Sequence, residues 1–172
     1  MIYHLNRFFG KAGGVFREIN WFLLRVLGSA MFMTHGFDKL FGENPQVFRN
    51  GGMTTVNIGE QIIFEMPWAL NALFVAGVIE LLGGLLILLG LWTHIFALIA
   101  ALLMAMAYAV AHLAWFPTLN NGELAAMYFL LYLVLFSHGP GVISLDRLFQ
   151  RRRDANQEAP PASTDDSDLP RL

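Results

Sequence analysis

The chain contains no cysteine and few charged residues. The absence of cysteine excludes disulfide bonds, thiolate metal sites and a dithiol relay within this chain. Charged residues make up 14% of its 172 residues, whereas ordinary globular proteins have about 25%. A net charge of −2 argues against nucleic acid as a partner. Any electron transfer by this chain therefore needs a bound cofactor or a partner subunit.

Apolar residues dominate the composition instead, at 56% of the chain. Between residues 67 and 116 the only formally charged side chain is Glu80. About 20 apolar residues cross the hydrocarbon core of a bilayer, so this stretch is long enough for two crossings. Apolar segments predict four membrane helices in all, at about residues 21–41, 68–92, 95–115 and 123–137. The predicted fold is all-α, an integral membrane bundle of four antiparallel helices.

The chain divides into three regions by composition. Residues 1–19 are basic and amphipathic and are predicted to lie on the membrane surface. Residues 20–150 form the four-helix domain, and the tail at 151–172 is predicted to be disordered. Within the domain, segment 59–66 is expected to be a short interfacial helix. The fourth apolar segment spans only roughly 22 Å as a helix, so this helix is expected either to begin before Glu123 or to sit where the bilayer is thinner.

Basic residues predict the orientation, because cytoplasmic loops of membrane proteins carry an excess of Lys and Arg. Both ends of the helical domain are basic, with Lys11, Arg17, Arg147 and the arginines at 151–153. The two loops assigned to the outer side carry only Lys39 and Arg49. Both termini are therefore predicted to be cytoplasmic.

Several local motifs occur in a recognisable order: His35-Gly36-Phe37-Asp38-Lys39-Leu40, Glu80-Leu81-Leu82-Gly83-Gly84, Leu88-Leu89-Gly90-Leu91-Trp92-Thr93, His112, Asn121-Gly122-Glu123 and Gly139-Pro140-Gly141-Val142-Ile143-Ser144-Leu145-Asp146. In this order the motifs resemble the DoxX family of small four-helix bacterial membrane proteins, over roughly residues 20–150. The resemblance implies a multi-pass protein of the bacterial inner (plasma) membrane. Some relatives look like subunits of thiosulfate:quinone oxidoreductases, which implies association with a redox system. The resemblance assigns no reaction to the chain, so whether the chain is an enzyme stays open.

Glu80 is the first candidate for a functional role, because an ionisable group in a membrane helix costs about 2.5–3.5 kcal/mol on insertion scales. Small residues lie three and four positions from it and allow another helix to approach closely. Glu80 is therefore predicted to face the interior. At its depth the first and third helices carry His35 and Tyr108, which are its predicted partners.

A second polar group is predicted at the outer ends of the helices, from Lys39, His112, Asn121 and Glu123. Together with Glu80, His35 and Tyr108, these side chains predict a polar pocket that descends from outside to mid-membrane. A quinone is the ligand that such a pocket would suit. No catalytic residue is assigned and no metal site is predicted. The alternative interpretation is that Glu80, His35 and Lys39 form a buried polar network that fixes the register of the helices.

Three functions stay open from the sequence: a redox-associated membrane subunit, a non-catalytic scaffold or assembly subunit, and a small-solute or proton pathway. Haem is disfavoured, because two axial histidines must face each other. His94 and His138 lie at the cytoplasmic ends of helices, whereas His35 and His112 lie in the outer half. The expected partners are membrane lipid and other membrane or envelope subunits, with homo-oligomerisation an open alternative.

Overall fold

The computed structural model of the chain describes residues 10, 13–14, 16–48, 54–58, 61–66 and 71–158. The described part consists mainly of helices, which we number α1 Arg17–Phe41, α2 Ala72–Leu89, α3 Thr93–Ala111, α4 Glu123–His138 and α5 Leu145–Glu158. Between α1 and α2 the strands β1 Thr54–Ile58 and β2 Gln61–Met66 form an antiparallel pair.

The first four helices lie close to the four apolar segments of the sequence. Within the described residues, α2 and α3 are long and apolar enough to cross a membrane, and α4 is apolar but has only 16 residues. The expectation that the fourth helix begins before Glu123 is wrong. Pro117–Asn120 forms a separate 3-10 turn, and Asn121 follows in the left-handed conformation at φ 51°. This backbone geometry interrupts the helix, so α4 begins only at Glu123.

The expectation of an interfacial helix at residues 59–66 is also wrong. Gln61–Met66 is strand β2, and it pairs with β1 so that Thr54 is opposite Met66. Four of the five residues of β1 are Thr, Val or Ile, and β2 contains two adjacent isoleucines. These β-branched side chains favour extended backbone over helix. The preference of these residues for extended backbone therefore decided the structure of the segment, although it lies next to a membrane helix in the sequence.

Glycine lets α1 and α2 pack closely and in opposite directions. A Cβ atom at Gly36 would lie 2.7 Å from the carbonyl oxygen of Gly77, so the two backbones meet at this point. Further down, Gly84 lies against Ser29 and Met33. Because the residue numbers fall along α1 as they rise along α2, the two helices are antiparallel.

Contacts at both ends show that α3 and α4 are antiparallel as well. At one end the Nδ1 atom of His94 lies 2.6 Å from the carbonyl oxygen of Phe136. At the other end the side chains of Tyr108 and His112 pack against Gly122. We call the end with the α2–α3 turn the Arg25 end, and the opposite end the Lys39 end.

The interior combines an apolar core with buried polar side chains, and many large apolar side chains lie outside. Phe32, Ile87 and Leu135 belong to the core. The buried polar groups include two charged side chains and several hydroxyls, namely Arg25, Ser29, Glu80, Thr93, Tyr128 and Tyr132. The outward faces carry exposed leucines and methionines, for example Leu23, Leu27 and Met31 on α1, Leu102 and Met106 on α3, and Met127 and Leu130 on α4. An apolar surface of this extent is favoured by a bilayer and disfavoured by water.

The ends of the chain differ from the predicted boundaries. Helix α5 continues to Glu158, so the predicted start of the disordered tail at residue 151 lies within a helix. Residues 159–172 lie outside the described residues, as do most of the predicted basic segment at 1–19. Helix α1 begins inside that segment, at Arg17.

Candidate functional site

Glu80 lies inside the structure on an irregular turn of α2. Residues Ile79–Gly83 form a π-helical segment, a feature that is frequent at functional sites. The Glu80 residue is 4% exposed, and Gly77, Gly83 and Gly84 are buried beside it. The inward orientation predicted from these small neighbours is therefore confirmed.

Lys39 is the ion-pair partner of Glu80. Its Nζ atom donates a hydrogen bond to Oε2 of Glu80 at 2.6 Å. The lysine side chain is 29% exposed and the glutamate side chain only 5%. The prediction of His35 as the direct basic partner is wrong, and Lys39 takes its place, as in the alternative interpretation of a network of Glu80, His35 and Lys39. Lys39 lies one turn above His35, and its four-carbon stem carries the ammonium group down by about that distance.

His35 lies near the pair but is exposed. Its ring meets the ring of Tyr128 edge-on, with 6.0 Å between the ring centroids. It also lies within electrostatic range of Glu80. His35 is therefore a neighbour of the Lys39–Glu80 ion pair and not a member of it.

Two tyrosines that sequence reasoning missed lie beside Glu80. Tyr128 and Tyr132 are buried on the inner face of α4, and their rings are stacked with centroids 6.1 Å apart. Both lie within electrostatic range of Glu80. Their spacing of four residues in the middle of an apolar helix was the signal that could have identified them.

Three buried hydroxyls in this region have hydrogen-bonding capacity to spare. Ser29 on α1 lies next to the hydroxyl of Tyr132. Within the described residues, however, neither group nor the Tyr128 hydroxyl makes a hydrogen bond of normal geometry. Buried hydroxyls in proteins normally have a partner. We call Ser29, Lys39, Glu80, Tyr128 and Tyr132 the interior cluster.

The other predicted pocket residues belong to the connection between α3 and α4. The hydroxyl of Tyr108 donates to the carbonyl oxygen of Ala114 at 2.8 Å. The Nδ1 atom of His112 lies 2.9 Å from the carbonyl oxygen of Asn120. The prediction of Tyr108 as a partner of Glu80 is therefore wrong, because its hydroxyl is used within this connection.

Asn121 and Glu123 complete the connection and are both exposed. Asn121 supplies the left-handed residue before α4. Glu123 lies in the first turn of α4, where a carboxylate interacts favourably with the helix dipole. The structure thus divides the seven predicted residues, with Lys39 and Glu80 paired, His35 beside them, and the other four at the α3–α4 connection.

A small open cleft lies at the Lys39 end and shares Lys39 with the interior cluster. Its volume is about 260 Å³, and its lining is polar throughout, with Asp38, Lys39, Glu43, Asn44 and Gln46. Lys39 lines this cleft and also donates to the buried carboxylate. The lysine therefore connects the surface with Glu80.

Arg25 is a second buried charge, and sequence reasoning assigned it no partner. It is 1% exposed. Its Nη1 atom donates to the carbonyl oxygen of Pro140 at 2.5 Å, and Nη2 donates to that of Ile143 at 2.7 Å. The segment after α4 therefore binds the buried guanidinium through two backbone carbonyl groups, one of them within the Gly-Pro-Gly motif.

Asp146 caps α3 at the same end. Its carboxylate accepts hydrogen bonds from the backbone N–H groups of Trp92 at 3.0 Å and Thr93 at 3.2 Å. A carboxylate at a helix N-terminus satisfies free N–H groups and offsets the dipole. Next to it lies an open cleft of about 490 Å³, lined among others by Trp21, Pro140 and Asp146.

The interior cluster offers a carboxylate, an ammonium group and three hydroxyls. These groups suit hydrogen bonding to carbonyl or hydroxyl ligands and the exchange of protons. Among the described residues, no group of three or more His, Asp or Glu side chains is placed to hold a metal ion.

Comparison with known proteins identifies the relatives of this chain. The sequence model of the DoxX family matches residues 20–113. A Haemophilus influenzae protein, described only as an uncharacterized protein, is 38% identical over 134 residues, which cover 75% of this chain and 90% of the relative. No solved structure matches the chain.

Proposed function

The chain belongs to the DoxX family, and from this premise we propose that it is an integral subunit of a redox system in the bacterial inner membrane. We propose further that its interior cluster binds the head group of a quinone. The observation that carries the proposal is the buried Lys39–Glu80 pair together with the buried hydroxyls of Ser29, Tyr128 and Tyr132, which make no hydrogen bond of normal geometry among the described residues.

The proposed topology has α1 to α4 as four membrane-spanning helices, with both termini in the cytoplasm. The exposed leucines and methionines on α1 and α4 support it, because these two helices present apolar side chains outward as α3 does. The basic residues support the orientation, because cytoplasmic segments carry an excess of Arg and Lys. The first residue of α1, Arg17, is at the Arg25 end, and α5, which carries Arg147 and the arginines at 151–153, begins at the same end.

The residues of the interior cluster fit the carbonyl groups of a quinone. Tyr128, Tyr132 and Ser29 would donate hydrogen bonds to a carbonyl oxygen, which accepts them. Glu80 would hold or release a proton, and Lys39 would stabilise its carboxylate form. When bound, a quinone supplies two-electron, two-proton redox chemistry. Because the chain contains no cysteine, the electrons would come from a further bound cofactor or a partner subunit.

Quinone binding is the direct test. Protein extracted in mild detergent is expected to carry quinone into an organic extract, and to bind a short-chain ubiquinone analogue in calorimetric titration. Glu80→Gln should weaken binding at least tenfold, because the amide cannot exchange the proton or pair with Lys39. The matched control is Asp154→Asn on α5, which removes an exposed carboxylate and should bind like the wild type. Wild-type protein with neither extractable quinone nor measurable binding would rule the proposal out.

A scaffold function is the second candidate. The observation that favours it is that Lys39 already neutralises Glu80, as a structural network requires. The same preparations distinguish the two functions. A stable partner that co-purifies equally with wild type and Glu80→Gln, without quinone binding, would favour the scaffold.

A further inference from the structure

The cleft at the Arg25 end lies outside the interior cluster and shares no residue with it. Its volume of about 490 Å³ falls within the range of typical ligand pockets, about 300–1,000 Å³. Its walls come from the beginnings of α1, α3 and α5 and from the segment that follows α4. Trp21 lines the cleft, and Trp92 precedes α3 at the same end. Because tryptophan is enriched at membrane–water interfaces, this end is expected to lie at the level of the lipid head groups.

Hydrogen bonds between its walls give this cleft a fixed shape. The indole Nε1 atom of Trp21 donates to the carbonyl oxygen of Gly139 at 3.2 Å. The Nδ1 atom of His94 lies 2.6 Å from the carbonyl oxygen of Phe136, and Asp146 on α5 caps α3. A cleft that is formed in advance loses little conformational freedom when a ligand binds, which favours affinity.

Most charges at this cleft are balanced by opposite charges. The Nη2 atom of Arg17 lies 3.1 Å from Oε1 of Glu18. The carboxylate of Asp146 interacts with the buried Arg25 and accepts two backbone hydrogen bonds. Together these four side chains carry no net charge.

Arg147 is the charge that is left over. Its side chain lines the cleft and is exposed, and its Nη1 atom donates to the neutral amide oxygen of Gln150 at 3.4 Å. The ion pairs within the described part of the chain do not include Arg147. A guanidinium group binds phosphate oxygens through two parallel hydrogen bonds. The cleft therefore offers one uncompensated positive charge, on a group that suits a phosphodiester.

Exposed apolar side chains adjoin the cleft on both sides of Arg147 in the sequence. They are Val142, Ile143, Leu148 and Phe149. Val142 also lines the cleft. At a membrane surface such side chains contact acyl chains. A ligand with a negative head group and apolar tails would use both features, whereas a free phosphate would use only the charge.

We propose that this cleft binds the head group of one anionic phospholipid, with Arg147 donating hydrogen bonds to the phosphate and the acyl chains lying against the adjoining apolar side chains. The single excess charge matches a phosphodiester that carries one negative charge, as in phosphatidylglycerol. A zwitterionic lipid fits less well, because its ammonium group brings a second positive charge to the cleft. The proposal rests on the membrane topology of the proposed function, and it is independent of quinone.

Native mass spectrometry of the detergent-purified full chain tests the site. The delipidated, quinone-free protein is titrated with short-chain phosphatidylglycerol or with phosphatidylcholine of the same chain length. One phosphatidylglycerol should bind at least tenfold more tightly than phosphatidylcholine, and Arg147→Gln should weaken its binding at least tenfold. The matched control is Arg153→Gln, which removes an exposed arginine of α5 outside the cleft lining and should bind like the wild type.

Several results of this titration would overturn the lipid site. They are equal affinity for the two lipids, unchanged binding by Arg147→Gln, and an equal loss in Arg153→Gln, which would indicate general attraction to the arginines of α5. Displacement of the lipid by equimolar glycerol 3-phosphate would show that the ligand is a free phosphate and not a lipid. Since Arg147 lies outside the interior cluster, Arg147→Gln should still bind the ubiquinone analogue, so failure of either proposal leaves the readout of the other unchanged.

A photoactivatable lipid locates the site in the wild-type protein. Phosphatidylglycerol with a diazirine on its head group is mixed into bilayers that contain the full chain, and mass spectrometry identifies the labelled peptides after irradiation. Labels are expected within residues 138–150, and Arg147→Gln should reduce them several-fold. Labels confined to the Lys39 end, or undiminished by Arg147→Gln, would contradict the inference.

Discussion

Replacing Lys39 by methionine is expected to destabilise the folded chain by about 2–4 kcal/mol, because removal of one partner leaves a buried charge uncompensated. Glu80→Gln should cost less, about 1–2 kcal/mol. The two losses differ because the charge left behind differs in exposure. After Glu80→Gln the remaining lysine, 29% exposed, can be hydrated in its cleft, whereas after Lys39→Met the remaining glutamate is only 5% exposed. Reversible unfolding in mixed detergent micelles measures both losses.

The double variant Lys39→Met with Glu80→Gln serves as the control for this pair. Its loss of stability should be smaller than the sum of the single losses by about 1–3 kcal/mol, because residues in direct contact are energetically coupled. Strictly additive losses would mean that the 2.6 Å contact does not contribute to stability. The ion pair would then not be formed in the membrane-embedded protein.

Arg25→Ala is expected to show the largest loss of stability, about 3–5 kcal/mol. The substitution removes two charge-assisted hydrogen bonds to carbonyl groups and leaves a cavity in the place of a large buried side chain. The segment at 139–144 loses its two hydrogen bonds from Arg25 and keeps the one from Trp21 to Gly139, so proteolysis there should accelerate. Thermal unfolding in detergent and limited proteolysis give the two readouts.

Arg17→Ala is the matched control for Arg25→Ala. The Arg17 side chain is 79% exposed, and its ion pair is with its neighbour Glu18. Its loss should stay within about 0.5 kcal/mol, as is usual for surface positions. If Arg25→Ala unfolds at the same temperature as this control, the guanidinium does not hold the Gly-Pro-Gly segment in place.

The helices were predictable because their signal is long and redundant. Apolar segments of about 20 residues, ended by Gly or Pro, gave α1, α2 and α3 to within a few residues. The hairpin between α1 and α2 was not predicted, because its strands are only five and six residues long. A short apolar segment next to a membrane helix is as easily interpreted as a short helix. The start of α4 depended on the left-handed conformation of Asn121, which sequence alone does not reveal.

The candidate site was predictable in its centre and not in its contacts. Glu80 stands out because a carboxylate within an apolar helix is costly, and its glycine neighbours indicate which face is inward. Its partner was misassigned, because counting residues gives the depth of a Cα atom and ignores the length of the lysine side chain. Tyr128 and Tyr132 were missed, although their four-residue spacing places them on one face of α4, and their packing against Phe32 of α1 shows that this face is inward.

The central claim is that Glu80 is enclosed by neighbouring helices, and the absence of cysteine from the chain allows single-cysteine spin labelling to test it. Oxygen accessibility would be measured in bilayers at Glu80→Cys, Leu82→Cys, Leu85→Cys, Ile87→Cys and Leu89→Cys. We expect low values at positions 80 and 87, which are buried, and high values at 82, 85 and 89, which are exposed. A high value at position 80 would place its side chain against lipid and contradict the account.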